Sequence, residues 1–470
     1  MKNATLTTLF MLFVPHVALP QENISLHPEN SHYFFYKNQP TLLITSGEHY
    51  GAVINLDFDY RIYFDELKAN RLNLTRVFTG VYLEPPGSFN ISGNTLAPAP
   101  QKFICPWARS SEPGNKAGGN KFDLSRWDET YFGRLSDFVN AARDRGVIVE
   151  LALFCPFYED AQWEISPMNA GNNINKAGKV RREDVYTMDK NGGLIDVHEN
   201  LVRKIVTALK EFDNVIYEIC NEPYWGGVKM DWQHHIAGLI RETEDSLGVR
   251  HLISQNIANG SGIITDPHPA VSVFNFHYAT PPVAVSQNYH LNKVIGDNET
   301  GFDGNSDSTY RVEGWEFILA GGGLYNNLDY SFTASHEDGT FRYPSSQPGG
   351  GSKALRKQLG YLKAFMDRFN FIRMKPDSSI VTSGLSPKVR VHVLAEEGKQ
   401  YAVYVFGKNQ SSLAMKLPPG NYLVESMDPV SGKYTSRKKL KHSGGQASVA
   451  LPAYGYDLAL RLTAEDPTGK

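Results

Sequence analysis

A chain of 470 residues, 41% hydrophobic and 21% charged, has the balance of an ordinary globular protein, which excludes a disordered or fibrous architecture. Its length exceeds one core of usual size, so two domains are expected. A formal net charge of -3, without an accumulating basic stripe, gives no reason to expect nucleic acid as a partner.

In chain order, residues 1–20 read as a signal peptide. Lys2 supplies the positive charge, residues 4–18 are mostly apolar, and the polar sequence Gln21-Glu22-Asn23 follows. Export is therefore expected, to a periplasmic or extracellular location. No later segment approaches the roughly 18 to 20 apolar residues of a membrane span. Three cysteines, Cys105, Cys155 and Cys220, leave at least one thiol unpaired and exclude a disulfide framework, with a single bridge to Cys105 left open.

Short apolar runs then alternate with helical patterns, the signature of a parallel sheet wrapped by helices. Strands are predicted at residues 41–45, 72–78, 147–154, 215–219, 251–254, 272–276, 294–296 and 323–328. Helices are predicted at 57–70, 128–145, 194–212, 231–247, 309–320 and 353–371, with truncated units after the fifth and sixth strands. The fold class is α/β, a (β/α)₈ barrel over residues 21–375. Long connections at 79–126, 155–193 and 331–351 leave the C-terminal ends of strands, where barrel active sites lie, so a walled cleft is expected. From 388 to 462 the pattern becomes short strands separated by Gly, Pro and Asn turns, predicting an antiparallel β-sandwich within residues 376–470. The basic run Arg437-Lys438-Lys439-Leu440-Lys441 reads as a solvated sheet edge.

The strongest chemical signal is Val215-Ile216-Tyr217-Glu218-Ile219-Cys220-Asn221-Glu222-Pro223, a buried strand ending in Asn-Glu-Pro at the barrel rim. Glu222, beside Tyr224 and Trp225, is expected in a partly apolar wall that raises its pKa and suits a general acid. Glu218 shares its face of the strand at greater depth and reads equally as a structural carboxylate. Val294-Ile295-Gly296-Asp297-Asn298-Glu299-Thr300-Gly301 supplies Glu299 at the end of the opposite, seventh strand, with Asp297 as a competing nucleophile. A retaining glycosidase requires two such carboxyl groups about 5 to 5.5 Å apart.

The order of these motifs resembles clan A of the glycoside hydrolases, the superfamily of the family-five cellulases and mannanases. The resemblance covers about residues 40–371. It implies Glu222 as acid/base, Glu299 as nucleophile, Asn221 on the sugar 2-hydroxyl and Arg76, from Leu72-Asn73-Leu74-Thr75-Arg76-Val77-Phe78, orienting the nucleophile. Phe276-His277-Tyr278 implies His277 and Tyr278 beside the pair, although family five usually places its Tyr two residues after the His. No His follows the third strand, where Phe154-Cys155-Pro156-Phe157-Tyr158 stands, and Tyr325-Asn326-Asn327 occupies the eighth-strand position of an expected Trp. The implied activity is hydrolysis of a β-type glycosidic bond in a poly- or oligosaccharide with retention, without cofactor or metal. The long loops favour chain ends or branched glycans. Met427-Asp428-Pro429-Val430-Ser431-Gly432 resembles the so-called collagen-binding sandwich ending several bacterial barrel glycosidases, with no collagen binding implied.

Further substrate-binding candidates by position are Glu48 and His49 after the first strand, the loop residues Trp107, Trp163 and Trp225, Tyr325, and Asn256 after the fifth strand. Trp127, Trp232 and Trp315 read as core. Asp303-Gly304-Asn305-Ser306-Asp307 begins like a calcium loop, but Ser308 and Gly314 stand where the turn Gly and bidentate Glu belong. His234-His235 lacks metal-ligand spacing. The alternative reading is a non-catalytic carbohydrate-binding barrel.

Overall fold

The computed structural model describes residues 23–465; the signal-peptide segment lies outside them. Eight parallel strands, Leu43–Gly47, Leu74–Phe78, Ile148–Phe154, Val215–Cys220, Leu252–Asn259, Val273–His277, Val294–Thr300 and Leu324–Leu328, follow one another around a barrel. They are counted here as the first to eighth barrel strands. Helices cover the outside and side chains fill the inside, so these strands are buried on both faces. The first and second strands close the seam through Asn73. Its Nδ2 donates to the Leu42 carbonyl at 2.8 Å, and its Oδ1 accepts from the Ile44 N–H at 3.0 Å.

The expected helices form as Tyr60–Ala69, Glu129–Arg143, Ile195–Leu209, Met230–Leu247, Asp307–Leu319 and Lys353–Met366. Asp59 and Asp128 cap the first two by accepting from Arg61 N and Thr130 N, each at 2.9 Å. Val283–Asn288 is the short helix after the sixth strand; the connection after the fifth strand carries none among the described residues.

An antiparallel sheet of three short strands, Ser25–Leu26, Phe34–Tyr36 and Gln39–Thr41, precedes the barrel and was not foreseen. Ile24, Phe34 and Tyr36 pack with Leu43, Leu74, Ile148, Ile216, Leu252, Val273, Val294 and Leu324, which lie at or near the starts of all eight strands. The sheet therefore plugs the N-terminal end of the barrel, opposite the end where the strand-to-helix loops gather.

After the barrel, a six-stranded sheet orders Lys375–Pro376, Arg390–Glu396, Gln400–Phe406, Asp457–Ala464, Gly420–Met427 and Tyr434–His442. It packs on a sheet of Val381–Ser383, Ser412–Leu417 and Gly445–Ala450 around a separate apolar core. The basic run lies on the edge strand Tyr434–His442, where its charges discourage further pairing. The helix Asp307–Leu319 is buried continuously from Tyr310 to Leu319 because the sandwich covers the side a barrel helix usually shows to water. Arg311 donates to Asp457 at 2.9 and 3.2 Å, Arg390 donates to Glu316 at 2.7 Å, and the Trp315 ring stacks on Tyr404 with centroids 5.2 Å apart. All three cysteines are buried free thiols, so the bridge left open to Cys105 does not form. Among the described residues no helix is long and apolar enough to cross a membrane.

Candidate active site

A cleft of about 690 Å³ opens at the C-terminal end of the barrel, lined in part by His49, Tyr50, Asn221, Glu222, Tyr278 and Glu299. Glu222 lies two residues past the end of the fourth strand, and Glu299 lies in the seventh. One carboxylate oxygen from each and a ring nitrogen of His277 all lie within 4.8 Å of one another. By spacing this trio could also hold a cation. The oxygens of both carboxylates already accept hydrogen bonds from protein groups.

The route by which Glu299 reaches the cleft is a break in strand regularity. Pairing between the sixth and seventh strands runs Phe276 to Asp297 and then His277 to Glu299, a register shift that leaves Asn298 without an opposite residue. Regular alternation would put Asp297 and Glu299 on the same side. The irregularity re-aims Glu299 into the cleft, a known use of bulges beside active sites. Asp297 does not reach the cleft: it is fully buried, accepts from Ala279 N at 3.3 Å, and burial together with nearby Glu313 pushes its carboxyl well above the usual range. It is thereby unsuited to the nucleophile's role for which it competed.

Arg76, on the second strand, joins the two halves of the site. It donates to Glu299 Oε2 at 2.9 Å, to Asn221 Oδ1 at 2.6 Å, and to both oxygens of Glu218, with Nε to Oε2 at 2.7 Å. Glu218 is therefore the deeper, paired carboxylate, further bonded by Asn298 Nδ2 at 2.8 Å. Two hydroxyls complete the surroundings of Glu299: Tyr50 donates to Oε2 at 3.0 Å and Tyr278 to Oε1 at 2.8 Å. Tyr278 thus meets Glu299 despite immediately following His277.

Glu222 has different neighbours. Tyr158 donates to its Oε2 at 2.6 Å, Tyr224 to its Oε1 at 3.3 Å, and Asn256 Oδ1 accepts its backbone N–H at 3.0 Å. His277 Nδ1 lies 3.3 Å from Glu222 Oε1 and 3.6 Å from Glu299 Oε1. The expected raised pKa is corrected here. Burial works to raise it, but His277, the Tyr158 hydroxyl and Arg76 together hold the Glu222 carboxyl below its ordinary value. Tyr50, Glu222 and Tyr278 all have positive φ, at 67°, 33° and 52°. Non-glycine residues adopt this region at a cost, and such strain collects at functional sites.

The remaining candidates divide. His49 and Trp225 line the cleft, Trp225 at 52% exposure. Glu48, Trp107, Trp163 and Tyr325 are not among its lining residues. Glu48 braces the first-strand loop by accepting from Gly51 N, Ala52 N and Thr95 Oγ1 at 3.2, 3.2 and 2.7 Å, and burial pushes its pKa up to about 7. Trp107 is buried in the main core at the start of a hairpin strand, Trp107–Pro113. Trp163 packs against Phe157 and donates to the Val180 carbonyl at 3.0 Å. Tyr325 is turned by strand alternation toward the helix Asp307–Leu319, where its hydroxyl donates to the Tyr310 carbonyl at 2.7 Å. Tyr158 and Tyr50 were not assigned to the site from sequence, and Tyr224 was read only as part of the wall beside Glu222. Tyr158 stands where the third-strand His was missing, and that departure was the available signal.

A parallel barrel with apposed carboxylates from its fourth and seventh strands defines the class of barrel glycoside hydrolases. The chain belongs to glycosyl hydrolase family 5: the family model described as Cellulase (glycosyl hydrolase family 5) matches residues 65–302, just over half of the sequence. No curated protein matches it. Among solved structures, a protein of Bacteroides vulgatus ATCC 8482 superposes with a TM-score of 0.67 at 14% identity, covering 95% of this chain and 83% of its own. A glycoside hydrolase family 5 structure from the same organism gives 0.64 at 14% identity, covering 94% and 93%. The family 5 mannosidase of Rhizomucor miehei gives 0.51 at 10% identity, covering 74% and 99%. At these identities the likeness speaks for the fold alone.

Proposed function

We propose that this glycoside hydrolase cleaves its substrate with retention, by double displacement, with Glu299 as nucleophile and Glu222 as acid/base. The observation that carries the reading is the approach of their carboxylate oxygens to within 4.8 Å. An inverting enzyme separates the carboxyl groups by about 6.5 to 9.5 Å to admit a water.

In the first step a Glu299 oxygen bonds to the anomeric carbon, the bond from that carbon to the leaving oxygen breaks, and Glu222 delivers a proton to that oxygen. Arg76, Tyr50 and Tyr278 favour the negative charge from which Glu299 attacks. His277 Nδ1 lies 3.3 Å from Glu222 Oε1 and helps to hold that carboxyl below its ordinary value. Once Glu299 is esterified, its charge no longer opposes ionisation of Glu222, which then takes a proton from water. The water oxygen bonds to the anomeric carbon as the ester bond breaks.

The test is hydrolysis of 4-nitrophenyl β-glycosides. Glu222→Ala is expected to lower kcat by about 10² to 10⁴-fold. Added azide should restore turnover, with a glycosyl azide of retained configuration. Glu299→Ala should be inactive, and a 2-fluoro glycosyl fluoride should label Glu299 in the unaltered protein. First-formed product of inverted configuration by NMR refutes the mechanism. Export is part of the proposal, and N-terminal sequencing of secreted protein, expected to begin near residue 21, checks it.

A further inference from the structure

The cleft wall carries a third buried carboxylate, Glu84, in the loop after the second strand. Tyr82 donates to its Oε1 at 2.9 Å and Asn94 Nδ2 donates to its Oε2. The loop folds back to fix it: Glu84 N donates to the Leu96 carbonyl and Leu96 N to Asn94 Oδ1, each at 2.9 Å. A carboxylate offers about four acceptor positions, so these two donors leave Glu84 with capacity to spare. The nearest imidazole nitrogen, His49 Nε2, stands 3.9 Å away, and neither ring nitrogen of His49 has a hydrogen-bond partner among the described residues. The His49 ring stacks beside Tyr50, whose hydroxyl holds Glu299, so Glu84 and His49 flank the nucleophile's side of the cleft.

The charge around the cleft points the same way. Glu84, Glu159, Glu183, Glu222 and Glu299 line it against one lining arginine, Arg182, with Arg76 paired to Glu299 behind the wall. The Arg182 guanidinium already lies 3.2 Å from Asp160 and 3.2 Å from Glu183. A buried carboxylate without a bonded cation is costly unless donors reach it. Adjacent sugar hydroxyls are such donors, whereas a carboxylated or sulfated sugar would bring like charge.

We propose that Glu84 is a specificity-determining residue that binds a hydroxyl pair of an uncharged sugar beside the nucleophile, with His49 next to it on the cleft wall, and that it turns away anionic sugars. This deepens the hydrolase reading and rests on it. The test uses the whole chain and 4-nitrophenyl β-glycosides of glucose, mannose, galactose and xylose, followed by single-deoxy forms and the uronide of the best substrate. Glu84→Gln is expected to lower kcat/KM on that substrate about 10- to 100-fold, as for loss of hydrogen bonds to a charged group. On each of the two analogues lacking one contacted hydroxyl its deficit should be smaller than on the parent, and on the other deoxy forms it should be unchanged. The preference for the neutral glycoside over its uronide should narrow in Glu84→Gln and persist in Glu84→Asp, with melting curves confirming that both variants fold. An equal deficit on every deoxy analogue, or none on the parent, overturns the proposal, because Glu84 then only braces its loop or does not contribute. Turnover by the unaltered protein with no effect of Glu84→Gln removes the subsite and leaves the hydrolase reading intact. No turnover of any glycoside by the unaltered protein removes both.

Discussion

Glu222 is pulled in opposite directions by its surroundings, and the direction that prevails sets the pH range in which it can act as an acid. Burial opposes its charge; His277, Tyr158 and Arg76 favour it. The alkaline limb of kcat/KM marks loss of the acid's proton in the free enzyme. Tyr158→Phe removes one group favouring the charged form, so the Glu222 pKa rises and the limb moves to higher pH. His277→Gln removes a stronger influence of the same sign and should move the limb further. A pH series of kcat/KM for both variants checks this, and a limb that stays in place assigns the proton to another group. Arg76 shows why such a site tolerates little change: one side chain meets Glu218, Asn221 and Glu299 in three directions, which a lysine could not reproduce.

At the scale of elements, the sheet of residues 25–41 acts as a floor. Phe34 is fully buried against the strand starts, so Phe34→Ala should cost about 3 to 5 kcal/mol, read as a lower denaturant midpoint with unchanged slope. A variant within about 1 kcal/mol would show that the floor packs loosely. All eight barrel strands could be read from the sequence because they are nearly continuous apolar runs, and the long helices because their apolar stretches are too long for strands. The floor could not: its strands are two or three residues long, too short for any period to register. The edge strand Tyr434–His442 was legible through its charge and not through alternation: most of its side chains face solvent, and its basic run marked a solvated edge without giving the strand's bounds. The site divides similarly. Arg76, within a regular strand, and Asn221 and Glu222, just past the end of another, were legible from the apolar runs that lead to them. Trp107 and Trp163 were read as loop residues facing the cleft, but the long connections form a strand, Trp107–Pro113, and a short helix, Asp160–Ile165, that turn both rings inward. The bulge that turns Glu299 inward is a matter of register between two strands, and no run of residues announces it.

Across the whole molecule, the barrel and the sandwich share the helix Asp307–Leu319, and the Arg311–Asp457 pair crosses their boundary almost wholly shielded from water. Removing one partner of a buried pair leaves an uncompensated charge, a loss of about 3 to 5 kcal/mol. Asp457→Ala, which also strips Tyr404 of its acceptor, should therefore lower the melting temperature of the entire chain in a single transition. A second, separate transition confined to the sandwich would show that the two parts unfold independently. The floor described above has a practical consequence for handling the protein. Because residues 24–41 lie under the barrel, on the side away from the catalytic mouth, a support attached just ahead of Ile24 would hold the molecule from beneath. Immobilised in that orientation, it would present its opening to the surrounding medium, leaving even bulky glycans a clear approach.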